Sequence, residues 1–137
     1  SIIEAENMKE IVKVVLDPRG VGVRIADKNL FDSGQAKVKP ESFKVLYKIG
    51  KLIQQKNSKV LVEGHTDDIP IKTSRYPSNW ELSSARASSV ARFLIKYSKI
   101  STDQIQVVGA ADTKPIVENK NNENRSKNRR VEFIFTE

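Results

Sequence analysis

Residues 60–86 read VLVEGHTDDIPIKTSRYPSNWELSSAR. Three consecutive β-favouring apolar residues, Val60, Leu61 and Val62, open the stretch and predict a strand buried on both faces. Gly64 closes that strand, and the polar run His65, Thr66, Asp67, Asp68 turns the chain at its carboxyl end. A loop containing Pro70 and Pro77 follows. Ser78-Asn79-Trp80-Glu81 then has the form of a capping box, with a hydroxyl for an orphan helix N–H and a carboxylate three residues on to reach back. Leu82, Ala85, Val90, Phe93, Leu94 and Tyr97 continue at helical spacing as a buried face. Residues 105–108 are again a short apolar strand, again stopped by a glycine, Gly109. Strand, helix, strand within this span predict a right-handed βαβ unit.

Upstream, Asp17-Pro18-Arg19-Gly20 is a turn, because Pro pre-sets φ at its second position and Gly tolerates positive φ. Val12, Val14 and Leu16 alternate before it, and Val21, Val23 and Ile25 alternate after it, which predicts a β-hairpin. A short amphipathic helix is expected over the first ten or so residues, on the spacing of Met8, Ile11, Val12 and Val15. Residues 29–42 read as loop. Leu46, Ile49 and Ile53, widened by Phe43 and Leu52, form the stripe of a first long helix whose wet side carries Lys44, Lys48 and Lys51. Residues 118–128 are polar and Asn-rich, a mobile loop or a short helix. Val131, Phe133 and Phe135 alternate as a last strand. The order β-β-α-β-α-β-loop-β, with two βαβ units, is a two-layer α/β (α+β) sandwich: a mixed sheet with helices on one face.

Composition narrows the function. A chain of 137 residues with 38% hydrophobic content suits one domain. It has no cysteine, so disulfides and thiolate metal sites are excluded. No apolar run approaches the ~18 residues of a spanning helix, and the start has no signal-peptide pattern. The chain begins at Ser1 without Met and is read as a fragment of a longer protein. The net charge of +7 favours an anionic partner, or serves solubility alone.

Asp67 follows a strand end, the edge at which open α/β sheets bind ligands. Arg86 lies two turns into the helix that starts near that edge. The two side chains either form an internal salt bridge or flank a ligand. As a zwitterion clamp, Asp67 accepts an ammonium and Arg86 holds a carboxylate through its fork, aided by the helix amino terminus. His65 beside Asp67 and Asp68 invites a metal, but no second His and no Cys completes a ligand set, so His65 is expected to make structural hydrogen bonds. Ser83 and Ser84 lie inside an ordinary helix without a nucleophile elbow, so a hydrolase triad is not supported. Asp67 and Asp68 are chain neighbours that point different ways, not an acid–base pair. The run RSKNRR (125–130) is a basic rim or a solvated loop. It lacks the interleaved aromatics of a single-strand nucleic-acid binder, and nucleic acid is kept only as an alternative partner.

Four motifs in order, VEGHTDD, NWELSSARA, VVGAADTKP and RSKNRRVEF, resemble the OmpA-like peptidoglycan-binding domain from about Leu30 to Phe135, most of the chain. The insertion DIPIKTSRYPS is most similar to the branch found in B subunits of flagellar motor stators. The resemblance implies a non-catalytic domain with a β-α-β-α-β core over residues 21–137, and a linker-proximal extension over 1–20. It implies that Asp67 and Arg86 hold the diaminopimelate unit of the peptidoglycan stem peptide. It also places Phe31, Asp32, Thr66, Asn79, Leu82, Asn128 and Arg129 around the groove, with Phe31, Leu82 and Asn128 shaping it. It further implies a periplasmic location, no cofactor, a homodimer, and a stator A subunit contacted through a membrane segment that this chain lacks. A porin-type or lipoprotein anchor is the alternative parent.

Overall fold

A computed structural model describes residues 11–136, so the helix expected over the first ten residues lies outside the described residues. Strand β1 (Val12–Asp17) turns through Pro18-Arg19 into β2 (Gly20–Ala26), in register from Val12↔Ile25 to Asp17↔Gly20. Helix α1 (Phe43–Lys56) follows, ended by Asn57 in the left-handed region at φ 48°. Strand β3 (Lys59–His65), helix α2 (Asn79–Ser98), strand β4 (Ile105–Gly109), the short helix α3 (Asn122–Asn128) and strand β5 (Arg130–Thr136) complete the order. The hairpin is therefore part of the sheet, and the boundary drawn after residue 20 falls at the first residue of β2.

The sheet order is β1-β2-β5-β3-β4. Among the described strands only β3 and β4 are hydrogen-bonded parallel neighbours, and the β3-α2-β4 unit stands as expected. The other βαβ unit is split. The last strand, β5, inserts between β2 and β3 and runs antiparallel to both. Its composition allows this: Val131, Phe133 and Phe135 fill one face while Ile134 is fully buried on the other, as a central strand requires.

Leu46, Ile49 and Ile53 of α1 share one buried cluster with Ala87, Val90 and Leu94 of α2 and with Val23, Ile25, Val60, Val62, Val131 and Phe133 of the sheet. Those strand residues alternate onto a single face, so both helices cover the same side. Phe43 and Tyr97 do not join that core as the spacing suggested. Both are about half exposed, because the stripe they extend wraps beyond the contact between helix and sheet.

Two glycines set the position of α2. A Cβ on Gly64 would stand 2.5 Å from the Ser83 carbonyl oxygen, and one on Gly109 would stand 2.5 Å from the Ser84 backbone nitrogen. The ends of β3 and β4 thus admit the first turns of α2 at backbone contact, which a side chain would forbid. Ser78 caps the helix by accepting from the Trp80 N–H at 3.2 Å. Glu81 completes the box differently from the expected form, because its carboxylate accepts from the Ser78 hydroxyl. That contact holds the Glu81 carboxyl below its ordinary range.

On the opposite face, Glu63 and Glu132 lie directly across from each other, an unfavourable register for like charges. Cations offset it. Arg19 Nη1 bonds Glu63 at 2.8 Å, Lys114 Nζ lies 3.3 Å from the same carboxylate, and Arg130 Nε and Arg24 Nε reach Glu132 at 2.5 and 3.2 Å. Burial pushes both carboxyls up, but for Glu63 the hydrogen bonds from His65 and Arg19, and for Glu132 that from Arg130, outweigh burial and hold them below the usual carboxylate range.

Candidate functional site

The carboxyl end of β3, the loop after it, the start of α2, the segment after β2 and the residue before β5 meet around a half-open cleft of about 480 Å³. Its lining includes Phe31, Thr66, Asp67, Asn79, Leu82, Arg86 and Arg129, seven residues the sequence had singled out. Asp27 and Lys28, which it had not, complete the charged lining.

Asp67 is 7% exposed. Its Oδ1 accepts from the Ile69 N–H at 3.0 Å, an Asx-type turn that fixes the carboxylate, and its Oδ2 accepts from Arg129 Nη1 at 2.6 Å. Thr66 is pinned by its N–H to the Ala111 carbonyl and by its hydroxyl to the Asp67 carbonyl, so the strand end that presents Asp67 is rigid. Asn79 Nδ2 donates to the Ile69 carbonyl at 3.0 Å, tying the loop to the first turn of α2.

Arg86 is 4% exposed and fully engaged. Its Nε donates to the Gln35 carbonyl at 2.8 Å, its Nη1 to Asp27 Oδ2 at 2.8 Å, and its Nη2 to the Asp32 carbonyl at 3.4 Å. Its guanidinium lies over the Phe31 ring, 4.8 Å from the centroid. Asp67 and Arg86 are thus not each other's partners. They line the same cleft, and a chain of alternating charge joins them: Arg86 to Asp27, Asp27 Oδ1 to Arg129 Nε at 3.8 Å, and Arg129 to Asp67. Asp27 is the residue that sequence reasoning missed. Its only signal was its place just beyond an alternating strand, where a turn residue is equally expected.

Two of the proposed residues stand elsewhere. Asp32 contributes its backbone carbonyl to Arg86, while the residue itself is exposed and outside the cleft lining. Asn128 is completely buried. Its Oδ1 accepts from the Ile116 and Val117 N–H groups and its Nδ2 donates to the Val117 carbonyl and to Asn119 Oδ1, so it braces the loop before α3 and does not face a ligand. The run 125–130 is not one basic loop: most of it is α3, Arg125 bonds Asp68 at 3.0 Å, and Arg130 is the buried first residue of β5. His65 is buried at the strand end with Nε2 at 2.9 Å from Glu63 Oε1. Glu63, His65 and Glu132 bring ligand-type atoms within 4.8 Å of one another. The arginines and lysine already on these carboxylates supply the positive charge a metal would bring, while His65 Nδ1 is buried without a hydrogen-bond partner among the described residues.

The arrangement offers two carboxylates, Asp67 and Asp27, and two guanidiniums, Arg86 and Arg129, lining one cleft beside a helix amino terminus. Chemically it suits binding of a group that carries both charges.

A family model described as the OmpA family matches residues 30–129. The chain is 42% identical over 97% of its length to the protein YtxE of Bacillus subtilis, covering 55% of that protein. It is 33% identical over 97% of its length to Motility protein B of the same organism, covering 51% of it. The chain therefore spans about half the length of these curated relatives. Its fold matches the cell wall anchor of the type VI secretion system of Pseudomonas aeruginosa with a TM-score of 0.89 at 36% identity, over 99% of this chain and 95% of that one.

Proposed function

This chain belongs to the OmpA family, and we propose that its cleft binds the peptidoglycan stem peptide and that the domain anchors a flagellar motor stator to the cell wall. The observation that carries the reading is the charge chain Arg86–Asp27–Arg129–Asp67, because it is already built as two ion pairs that a zwitterion can exchange into. The ammonium of a diaminopimelate residue takes the place of Arg129 on Asp67. Its carboxylate joins or replaces Asp27 on Arg86, with Arg129 released to share it. Each charge keeps a partner throughout, so the exchange avoids stranding a buried ion. The helix amino terminus at Asn79 favours the same carboxylate. Phe31 and Leu82 give the cleft its apolar floor.

Similarity to Motility protein B supports the stator reading. On that reading the domain works on the wall side of the cytoplasmic membrane, as a homodimer, joined to a stator A subunit through a membrane segment outside this chain. Similarity to the secretion-system wall anchor favours a second parent, an anchor of another envelope machine with the same site. One membrane helix carrying an acid in the upstream gene sequence selects the stator.

Asp67→Ala and Arg86→Ala are expected to reduce co-sedimentation with purified sacculi by about tenfold or more, the loss of one charge-assisted contact, while circular dichroism reports an intact fold. Folded variants that sediment as well as the parent would remove the clamp from consideration.

A further inference from the structure

A second cleft, of about 440 Å³, lies between α1, α2 and the loop before α2, within the size range of about 300–1,000 Å³ for small-ligand sites. It is separate from the clamp but backs onto it. Ala36, Tyr76, Leu82, Ile71 and Ala85 pack as a satellite cluster that forms the partition. Ile71 and Leu82 face the clamp, while Ala36 and Tyr76 face the second cleft.

Two features of its lining point to one ligand chemistry. The first is charge. Lys37, Arg75, Arg92 and Lys96 all line it, and no acidic side chain does. Among the described residues none of the four is in an ion pair; Arg92 bonds only the Ser89 hydroxyl and Lys96 lies 5.2 Å from the Tyr97 ring centroid. For the arginines this is a contrast: Arg19, Arg24, Arg86, Arg125, Arg129 and Arg130 each hold a carboxylate, and among the described residues Arg75 and Arg92 do not. The second feature is the floor. Phe43, Phe93 and Tyr97 form a three-ring cluster, with centroids 5.1 Å apart for Phe43–Phe93 and 4.9 Å for Phe93–Tyr97, and Phe43 and Tyr97 are 42% and 50% exposed.

We propose that this cleft binds an acidic saccharide, a sugar ring bearing a carboxylate or phosphate, seated on the Phe43–Phe93–Tyr97 floor with its anion held by Arg75, Arg92, Lys96 and Lys37. An apolar ring face lying on aromatic carbon removes both from water, and the unpaired cations supply charge-assisted bonds. The rings tilt against one another at 41° and 45° and cover part of each other's faces. They offer one continuous floor for a puckered ring, not the row of separate faces that successive nucleic-acid bases stack on. This site stands or falls independently of the peptide clamp.

The test is an NMR titration of the domain at low salt with trigalacturonate, which carries a carboxylate on each ring, and with glucose 6-phosphate, which carries a phosphate. Maltotriose and oligothymidylate serve as comparisons. Either acidic sugar is expected to shift Ser89, Arg92, Phe93 and Tyr97, and the stronger of the two identifies the anion. Added salt should weaken the effect, as for any contact between exposed charges. The double variant Arg92→Ala/Lys96→Ala, both at exposed positions, should bind about tenfold more weakly. Asp67→Ala should bind as the parent does, which separates this site from the clamp. Equal shifts with maltotriose, an unaffected double variant, or tighter binding of oligothymidylate would each overturn the proposal. So would the same shifts on raising protein concentration alone, which would assign the patch to a second copy of the chain.

Discussion

Asp27 changes how the site is understood. Arg86 is almost wholly buried, and apart from Asp27 its hydrogen-bond acceptors are backbone carbonyls, so among the described residues Asp27 supplies the only negative charge on it. Arg129, which serves Asp67, is 37% exposed and can turn to water. The two acids of the cleft therefore do different jobs. Asp27→Ala strands a buried guanidinium and should cost about 3 kcal/mol, read from urea denaturation. Asp67→Ala releases a half-solvated one and should cost about 1 kcal/mol or less, so its effect on wall binding can be read free of unfolding. Asp67 and Arg86 were legible in the sequence because each follows a local signal, a strand end and a helix start. Asp27 was not, because its role arises only when β2 and β5 pair and bring it to Arg129, whose carbonyl accepts the Asp27 N–H at 3.0 Å. For Asn128 the neighbourhood was legible and the direction was not: the adjacent Arg129 lines the groove, while the Asn128 side chain bonds the loop before α3.

The elements themselves were readable where the signal was local: the Asp17–Gly20 turn, the stripe of α1 and the Ser78 cap. Gly64 was not the stop it was expected to be, because β3 pairs through it as far as His65. What local pattern did not carry was the third neighbour of each strand. The two glycines near the ends of β3 and β4 read as terminators, yet both lie within their strands and let α2 touch the sheet. Gly64→Ala should therefore lose more than a glycine-to-alanine change in a strand normally would. Its new Cβ meets a backbone carbonyl that cannot rotate away, and overpacking of that kind costs about 1–3 kcal/mol. The displacement would fall on the first turns of α2, which carry Asn79, Leu82 and Arg86. A lowered melting temperature together with weakened sacculus binding is the expected pair of results. A variant that melts lower but binds normally would show that α2 shifts without disturbing the clamp.

Across the whole molecule, the helix-free face of the sheet carries a pH dependence. Glu63 and Glu132 both have folded-state pKa values below their ordinary 4.5. A carboxyl depressed on folding contributes stability that is present above its unfolded value and is lost as pH falls toward the folded one. Asp17, held at about 2 by Arg19, adds to the same trend over the window below 3.8. The urea midpoint should thus be flat near neutrality and decline steadily below pH ~4.5. Glu132→Gln should lose about 3 kcal/mol at pH 7, since Arg130 stays charged and buried, and should decline less steeply in acid. A parallel slope for variant and parent would place the acid sensitivity elsewhere.

The central position of β5 bears on how the protein is made. Of the five described strands β5 comes last in the chain, and it pairs with β2, separated from it by most of the described residues, as well as with β3. Until residues 130–136 are available, β2 and β3 have no neighbour between them and Arg129 cannot reach Asp67. The cleft therefore forms only once β5 has paired. A chain made from its amino end would hold β2 and β3 apart and keep the cleft unformed until β5 is available, a non-local pairing of the kind that folds slowly.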